Sequence, residues 1–378
     1  MKVLFIHNSL AEYRIEFMRA LSRLCNVHYL ITDQSEAQKI YGLQLPELDD
    51  MNITFLKSRK EKKEIAAYIV KDKPDLVVAP PLDDFYQLQC AWIAVKTAHK
   101  HGIKLAYWTE KWEYEWRLQP FRKKIKNLIH RMAIHSITRH CAVCIAAGSK
   151  IAEYFRTIGV KEENIRICYN SSVSPSCENL DIHKQYSIPK NNKIILFLGR
   201  IVPRKGCIIL IEAFDKLLSN HDDITLLIVG DGDDMENCKN KVRQLKIDEN
   251  VIFTGKVQPN KRAAFYLGAD VSVLPSYALG GVIEAWGLTV NESLEQGTPV
   301  VSTNVVCSAH DLLDGECGIM VQENNVEELS EAIEKIIYAP NKEAQRKACL
   351  QKYEEFSVPN MARRFYDAFV FATGKEYN

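Results

Sequence analysis

Short apolar runs alternate with stretches of helical period along almost the whole chain, and this alternation restricts the fold more than any other feature. Val3–Ile6, Val27–Ile31, Ile53–Leu56, Leu76–Ala79, Leu105–Trp108 and Val143–Ala146 each read as a buried strand. Between most of them lie segments such as Glu12–Leu24 and Tyr86–Lys100, in which apolar residues recur with the helix repeat. A run that is apolar on both sides needs cover on both faces, and a parallel sheet flanked by helices supplies it. Residues 170–192 (NSSVSPSCENLDIHKQYSIPKNN) break the pattern and read as an inter-domain linker. The alternation then restarts, with strands at Ile194–Leu198, Thr225–Val229, Val251–Thr254, Val271–Leu274 and Pro299–Ser302. Helices follow at Ile208–Leu218, Glu236–Leu245 and Val326–Ile337, and Val358–Ala372 forms an amphipathic terminal helix. The expected organisation is an α/β chain of two Rossmann-like doubly wound domains, 1–180 and 190–357, followed by a terminal segment 358–378.

The length of 378 residues agrees, since domains average roughly 150 residues. An apolar fraction of 47% and 35 aromatic residues give each half material for its own core and exclude global disorder. The net charge of +1 lacks the basic excess of a dedicated nucleic-acid binder, so no nucleic-acid partner is expected. The charge is uneven, however. Residues 1–180 carry 27 basic and 20 acidic side chains, and the rest 22 and 28, so the first half is the one to approach an anionic surface. Eleven cysteines without regular spacing fit reduced thiols in a cytoplasmic protein. The start, Met1–Asn8, is too soon polar for a signal peptide. No apolar run approaches the roughly 20 residues that span a bilayer, so any membrane contact is expected to be peripheral.

In open parallel sheets, ligands bind beyond the carboxyl ends of the strands, so motifs there carry the most weight. The natural active site is then a cleft between the two domains. Three such segments stand out in the second half. In Phe197-Leu198-Gly199-Arg200-Ile201-Val202-Pro203-Arg204-Lys205-Gly206, Gly199 lets the chain leave the strand sharply. Arg200 and Lys205, with Arg204 nearby, are cations suited to a diphosphate; a solvated loop is the plainer reading. In Val229-Gly230-Asp231-Gly232-Asp233, the glycines let a ligand approach the backbone and Asp233 is placed to cap the next helix. In the third, Glu284-Ala285-Trp286-Gly287-Leu288-Thr289-Val290-Asn291-Glu292, a helix is expected to begin near Leu288. Its first amides, at Gly287, Leu288 and Thr289, would attract phosphate. Glu284 precedes that helix and Glu292 lies about one turn inside it, so the two carboxylates can reach different sugars.

The stretch from Glu284 to Val301, with two glutamates separated by seven residues and then Gly297, Pro299, Val300 and Val301, closely resembles family 4 retaining glycosyltransferases. Gly199-Arg200…Lys205-Gly206, Gly230-Asp231-Gly232, Phe253-Thr254-Gly255 and Leu274-Pro275-Ser276 fall where that family has its own motifs. The resemblance covers roughly 190–340. It implies the GT-B fold, two Rossmann-like domains facing a cleft, with the C-terminal helix crossing back to the first. It further implies that Arg200 and Lys205 neutralise a donor diphosphate, that Glu292 binds the nucleotide ribose and that Glu284 holds the donor sugar. The Gly287–Thr289 amides would contact phosphate and sugar. The implied reaction moves a sugar from a nucleotide sugar, UDP favoured over GDP, to an acceptor hydroxyl with retention. No cofactor and no metal are expected. A GT-B sugar-nucleotide epimerase or a catalytically silent sugar-nucleotide-binding subunit would share the fold and the donor site.

The first half departs from the family pattern. Its first loop reads Asn8-Ser9-Leu10-Ala11-Glu12-Tyr13-Arg14 in place of paired glycines, a variant that resembles members acting on bacterial glycans. No His follows the strand Leu105–Trp108, where many members carry one. Arg14, Glu110 as a polar group at the reaction centre, and Trp108 stacking on a sugar are the acceptor-side candidates. His7, at the end of the first strand, could face the cleft. Residues 121–132 (FRKKIKNLIHRM) have a basic face and an apolar stripe, Ile125, Leu128, Ile129 and Met132. One reading packs this helix on its sheet. The other docks it on anionic lipid beside a lipid-linked saccharide acceptor, at the inner face of the membrane. His140-Cys141…Cys144 suggests zinc, but without a second ligand pair, buried thiols fit better.

Overall fold

The computed structural model describes residues 1–33, 48–113, 118–174 and 180–376. In chain order its first elements are β1 (Lys2–His7), α1 (Glu12–Leu24), β2 (Asn26–Ile31), β3 (Asn52–Phe55), α2 (Glu64–Asp72) and β4 (Leu76–Ala79). Next come α3 (Phe85–Lys100), β5 (Lys104–Thr109), α4 (Phe121–Thr138), β6 (Val143–Ala146), α5 (Ser149–Thr157) and β7 (Ile165–Ile167). The second half contains α6 (Ile182–Gln185), β8 (Lys193–Leu198), α7 (Cys207–Leu218), β9 (Ile224–Val229), α8 (Met235–Leu245) and β10 (Val251–Gly255). It continues with α9 (Arg262–Leu267), β11 (Val271–Leu274), α10 (Leu288–Glu295), β12 (Val300–Thr303), α11 (Cys307–Leu312) and β13 (Gly318–Val321). The last helices are α12 (Val326–Ile337), α13 (Lys342–Glu355) and α14 (Val358–Thr373).

Two compact units result. One comprises Met1–Trp112, Pro120–Ser172 and Ser357–Asn378, the other Glu113–Gln119 and Val173–Phe356. Among the described residues the first holds a parallel sheet in the order β3-β2-β1-β4-β5-β6-β7 and the second a parallel sheet in the order β10-β9-β8-β11-β12-β13. In each, the first strand sits mid-sheet and the chain winds one way and then the other from it. The switch points lie between β1 and β4 and between β8 and β11. Side chains leaving the carboxyl ends of those strands therefore converge at one place in each unit.

The terminal helix α14 belongs to the first unit because its apolar face completes that core. Phe365 packs on Phe17 with ring centroids 4.7 Å apart and meets Trp108 edge-on at 5.3 Å. Pro359 within its first turn and Gly374 in a left-handed conformation just past its end set its limits. The second core is built from β8, β9, α7 and α12, where Leu196, Phe197, Phe214 and Ile333 are fully or almost fully buried.

Several elements differ from the sequence reading. The segment expected as a linker contributes Ile182 and Ile188 to the core beside Leu196, Leu227 and Phe265, so its apolar residues are anchors set among polar ones. Residues 175–179 of that segment lie outside the described residues. β7 and β13 were not anticipated: β7 is three residues long, and in β13 the middle residues Ile319 and Met320 are only partly covered. Helix α13 was missed because Cys349 is its one buried side chain, which leaves no apolar period to read. Asp233 does not cap α8; Asp234 stands at that position, and its carboxylate accepts from Asn237.

Candidate functional site

The second unit gathers its polar residues where the loops after β8, β9 and β11 meet. Glycine makes the approach possible. Gly230 has φ 142°, and a Cβ there would run into the carbonyl oxygen of Gly199. Gly206 has φ 71°, and a Cβ there would strike the carbonyl of Pro275. A side chain at either position would push two loops apart. The Arg204 carbonyl accepts from the Tyr277 amide at 2.9 Å, which pins the β8 loop to the β11 loop. The Glu284 backbone is fixed in turn by a hydrogen bond from its amide to the Val305 carbonyl, 3.2 Å.

Lys205 Nζ and Arg204 NH1 both lie 2.7 Å from Glu284 Oε2. Burial on its own would raise the Glu284 carboxyl; Lys205 and then Arg204 overcome that and hold it below the usual range. Burial draws the Lys205 ammonium down, Arg204 and Arg200 act the same way, and Glu284 opposes them. The carboxylate is thus ionised and serves as the counter-charge for a cationic corner. Arg200 projects from the same loop and is exposed.

Helix α10 begins beside this corner. Gly287 caps it at φ 95°, and Leu288 and Thr289 form its first turn, where amides lack helical acceptors. The Thr289 hydroxyl is buried there with no hydrogen-bond partner. Glu292 lies further along α10, within electrostatic reach of Lys205. Burial raises its carboxyl against the pull of Arg262 and of Tyr266, whose hydroxyl donates to Glu292 Oε2 at 2.9 Å.

The first unit has its own polar cluster at the β1/β4 switch point. Arg14 NH2 donates to Glu110 Oε1 at 2.8 Å, and NH1 lies 3.0 Å from His7 Nε2. Asn170 donates to the same Glu110 oxygen at 3.0 Å. Asn8 donates to Asp83, whose carboxyl is raised by burial and by Glu110. Burial, then Arg14, pushes the His7 imidazole well below its ordinary range, so it is neutral. The sequence reading had picked out Arg14 and Glu110. It missed Asn170 and Asp83, which come from loops after other strands and have no local signature.

Trp108 is corrected. Its side chain is 3% exposed, sits among Phe5, Phe17 and Phe365, and is covered by the Arg14 guanidinium at 4.8 Å. It cannot stack on a sugar; it is the apolar floor that holds Arg14 in place. Helix α4 packs on its unit, as one reading expects, but not through the apolar stripe. Asn127, Ile134, Ile137 and Thr138 are its buried residues, and the stripe faces away from the unit. Cys141 and Cys144 are buried thiols, and no cluster of metal-ligating side chains occurs among the described residues. Nor is any helix among them long and apolar enough to cross a membrane.

Two doubly wound parallel α/β units in one chain, with the last helix returned to the first unit, define a GT-B protein. Over 97% of this chain and 99% of the other, the fold matches HepE of Anabaena solved with UDP, at a TM-score of 0.75 and 16% identity. Residues 178–352 match the family model of glycosyl transferases group 1, and the chain is similar to family 4-type glycosyltransferases of GT-B fold. Among curated relatives, an uncharacterized glycosyltransferase of Methanocaldococcus jannaschii is 26% identical over 253 residues, covering 65% of this chain and 63% of that protein. A phosphatidyl-myo-inositol mannosyltransferase of Mycobacterium leprae is 36% identical over 146 residues, covering 38% and 37%. The chain thus spans less than two thirds of the curated relatives it matches.

Proposed function

We propose that this chain is a retaining, metal-independent hexosyltransferase. It moves a sugar from a nucleotide sugar, a UDP-sugar in the first instance, to a hydroxyl of a saccharide or lipid-linked saccharide in bacterial glycan biosynthesis in the cytoplasm. The observation that carries this reading is the pairing of Lys205 and Arg204 with Glu284 beside the first turn of α10. A diphosphate suits that corner: it would meet Lys205, Arg204, Arg200, the α10 amides and the unpartnered Thr289 hydroxyl.

The same residues supply the chemistry. Charge accumulates on the diphosphate as the bond from the anomeric carbon to its oxygen breaks. Cations and amides already fixed in place stabilise that charge without reorganising. A diphosphate bound to Lys205 and Arg204 competes with Glu284 for them, which frees the Glu284 carboxylate to accept from donor-sugar hydroxyls. Glu292, steadied by Tyr266, is placed for the ribose hydroxyls. Arg14, Glu110 and Asn170 form the polar group on the acceptor side. The acceptor oxygen attacks from the face the diphosphate leaves; its proton passes to a phosphate oxygen of the departing nucleotide, so the anomeric configuration is kept.

Relatives support the class of donor and acceptor. HepE was solved with UDP, and other similar proteins are named mannosyltransferases of phosphatidyl-inositol or lipopolysaccharide-core glycosyltransferases. The test is thermal-shift screening of UDP- and GDP-sugars against the wild type and Arg200→Ala. Stabilisation by a nucleotide sugar that Arg200→Ala weakens is expected. No stabilisation by any nucleotide sugar would overturn the reading. Conversion of the donor without an acceptor to a new sugar nucleotide would instead identify an epimerase.

A further inference from the structure

Helix α4 presents two opposite faces. Asn127, Ile134, Ile137 and Thr138 are turned into the first unit. Phe121, Ile125, Leu128, Ile129 and Met132 are turned outward, each between 47% and 76% exposed. At 3.6 residues per turn these five fall within an arc of roughly 100°, a continuous apolar strip about 16 Å long. A strip of five large apolar side chains is far more than scattered surface residues leave exposed on one helix.

Charge flanks it on both sides. Lys124 and Arg131 border one edge of the strip and Arg122 and Lys126 the other. No Asp or Glu occurs anywhere between Glu115 and Glu153. The helix is anchored from behind: His130 donates to the Leu82 carbonyl at 2.6 Å, in the turn that leads into α3. Phe85, which opens α3, is also strongly exposed, and α3 packs against α4.

We propose that this face docks on an anionic lipid bilayer, lying flat with the strip from Phe121 to Met132 in the acyl boundary and the flanking cations on the lipid phosphates. Symmetric cationic margins and the absence of acid from α4 commit the surface to lipid, because a planar anionic sheet meets both margins at once. The lipid would also be the place of a lipid-linked acceptor. That last point rests on the transferase reading; the docking itself does not.

The test is flotation of the full chain with vesicles of phosphatidylcholine alone or mixed equally with phosphatidylglycerol. The chain is expected to float with the mixed vesicles at low salt and far less with phosphatidylcholine. In about 1 M salt, where screening acts within about 3 Å, part of the binding should persist through the apolar strip. The variant Phe121→Ser/Ile129→Ser/Met132→Ser changes only exposed side chains, so it should keep the wild-type Tm while vesicle affinity falls by roughly tenfold or more. Arg122→Glu/Lys126→Glu should weaken the preference for anionic vesicles, with Lys124 and Arg131 left on the other margin. Absence of flotation, or flotation that neither variant reduces, overturns the proposal. So does a wild type that self-associates and becomes monomeric in the serine variant without binding vesicles, since a second copy would then cover the strip. Donor binding is measured separately by thermal shift, so the docking and the transferase reading fail independently.

Discussion

Lys205 Nζ and Glu284 Oε2 are 2.7 Å apart, and Arg204 reaches the same oxygen at the same distance. The cations come from the loop after β8 and the carboxylate from the loop after β11, the two strands that flank the switch point of the second unit. Lys205 and Glu284 are both mostly buried, and each offsets part of the cost of burying the other's charge.

That relationship separates the roles of the two residues. Glu284→Ala removes the competitor for Lys205, so UDP affinity should be kept or increased while sugar transfer falls by roughly a hundredfold or more. Lys205→Ala removes a charged hydrogen bond worth about 1.5–3 kcal/mol, so UDP should bind about 10- to 100-fold more weakly. Titration calorimetry with UDP and a transfer assay on both variants decide it. Loss of UDP binding in Glu284→Ala would show that the carboxylate builds the nucleotide site.

Glu292 makes a second, independent prediction. Tyr266 holds one carboxylate oxygen at 2.9 Å, which orients the other. Glu292→Gln retains an acceptor for Tyr266 but loses the charge. UDP should then bind about tenfold more weakly, whereas 2′,3′-dideoxy-UDP should bind wild type and variant alike. Equal weakening of both nucleotides would remove Glu292 from the ribose.

The local geometry of the candidate site was legible wherever it is written as a contiguous string. The span from Glu284 to Glu292 around a helix start, and the Gly199–Gly206 loop, could be read because backbone geometry and charge sit side by side in the chain. Buried strands such as β8 and β9 were equally plain. Tyr266 was not, because it meets Glu292 only when α9 and α10 pack. Asn170 and Asp83 join Arg14 and Glu110 only because β4, β5 and β7 end on the same edge. Trp108 was misread for a related reason: an aromatic at a strand end looks available until α14, far away in sequence, covers it. The α4 strip was the opposite case, since its apolar period looked like a packing face and only the fold shows a different face turned inward.

Arg14 and Glu110 carry a prediction for the first unit. Arg14 is held by Glu110 above its usual range despite burial, and its guanidinium lies over Trp108. Glu110→Gln removes the counter-charge but keeps an oxygen for Arg14 and Asn170. The expected cost is about 1–3 kcal/mol in urea unfolding, with UDP affinity unchanged and transfer reduced. Transfer at the wild-type rate would discard Glu110 as an acceptor-side group and leave it a structural partner of Arg14.

His130 predicts a pH dependence. Burial, then Lys111, lowers its imidazole from 6.5 to about 4, with Lys126 and Lys123 in the same direction. Its folded-state pKa is therefore below its unfolded one. Above pH 6.5 both states are neutral and the group is without effect. As pH falls from about 6.5 to 4 the unfolded chain takes up the proton and the folded chain does not, so stability is lost across that window, by at most about 3 kcal/mol. The neutral Nε2–H that binds the Leu82 carbonyl is what anchors α4. His130→Gln keeps an amide donor for that carbonyl and removes the titration, so its Tm should fall less steeply between pH 6.5 and 4. His7, also depressed by burial, remains in the variant and leaves a residual slope. Parallel acid limbs in wild type and His130→Gln, measured by calorimetry across that range, would mean that His130 is not held neutral by its surroundings.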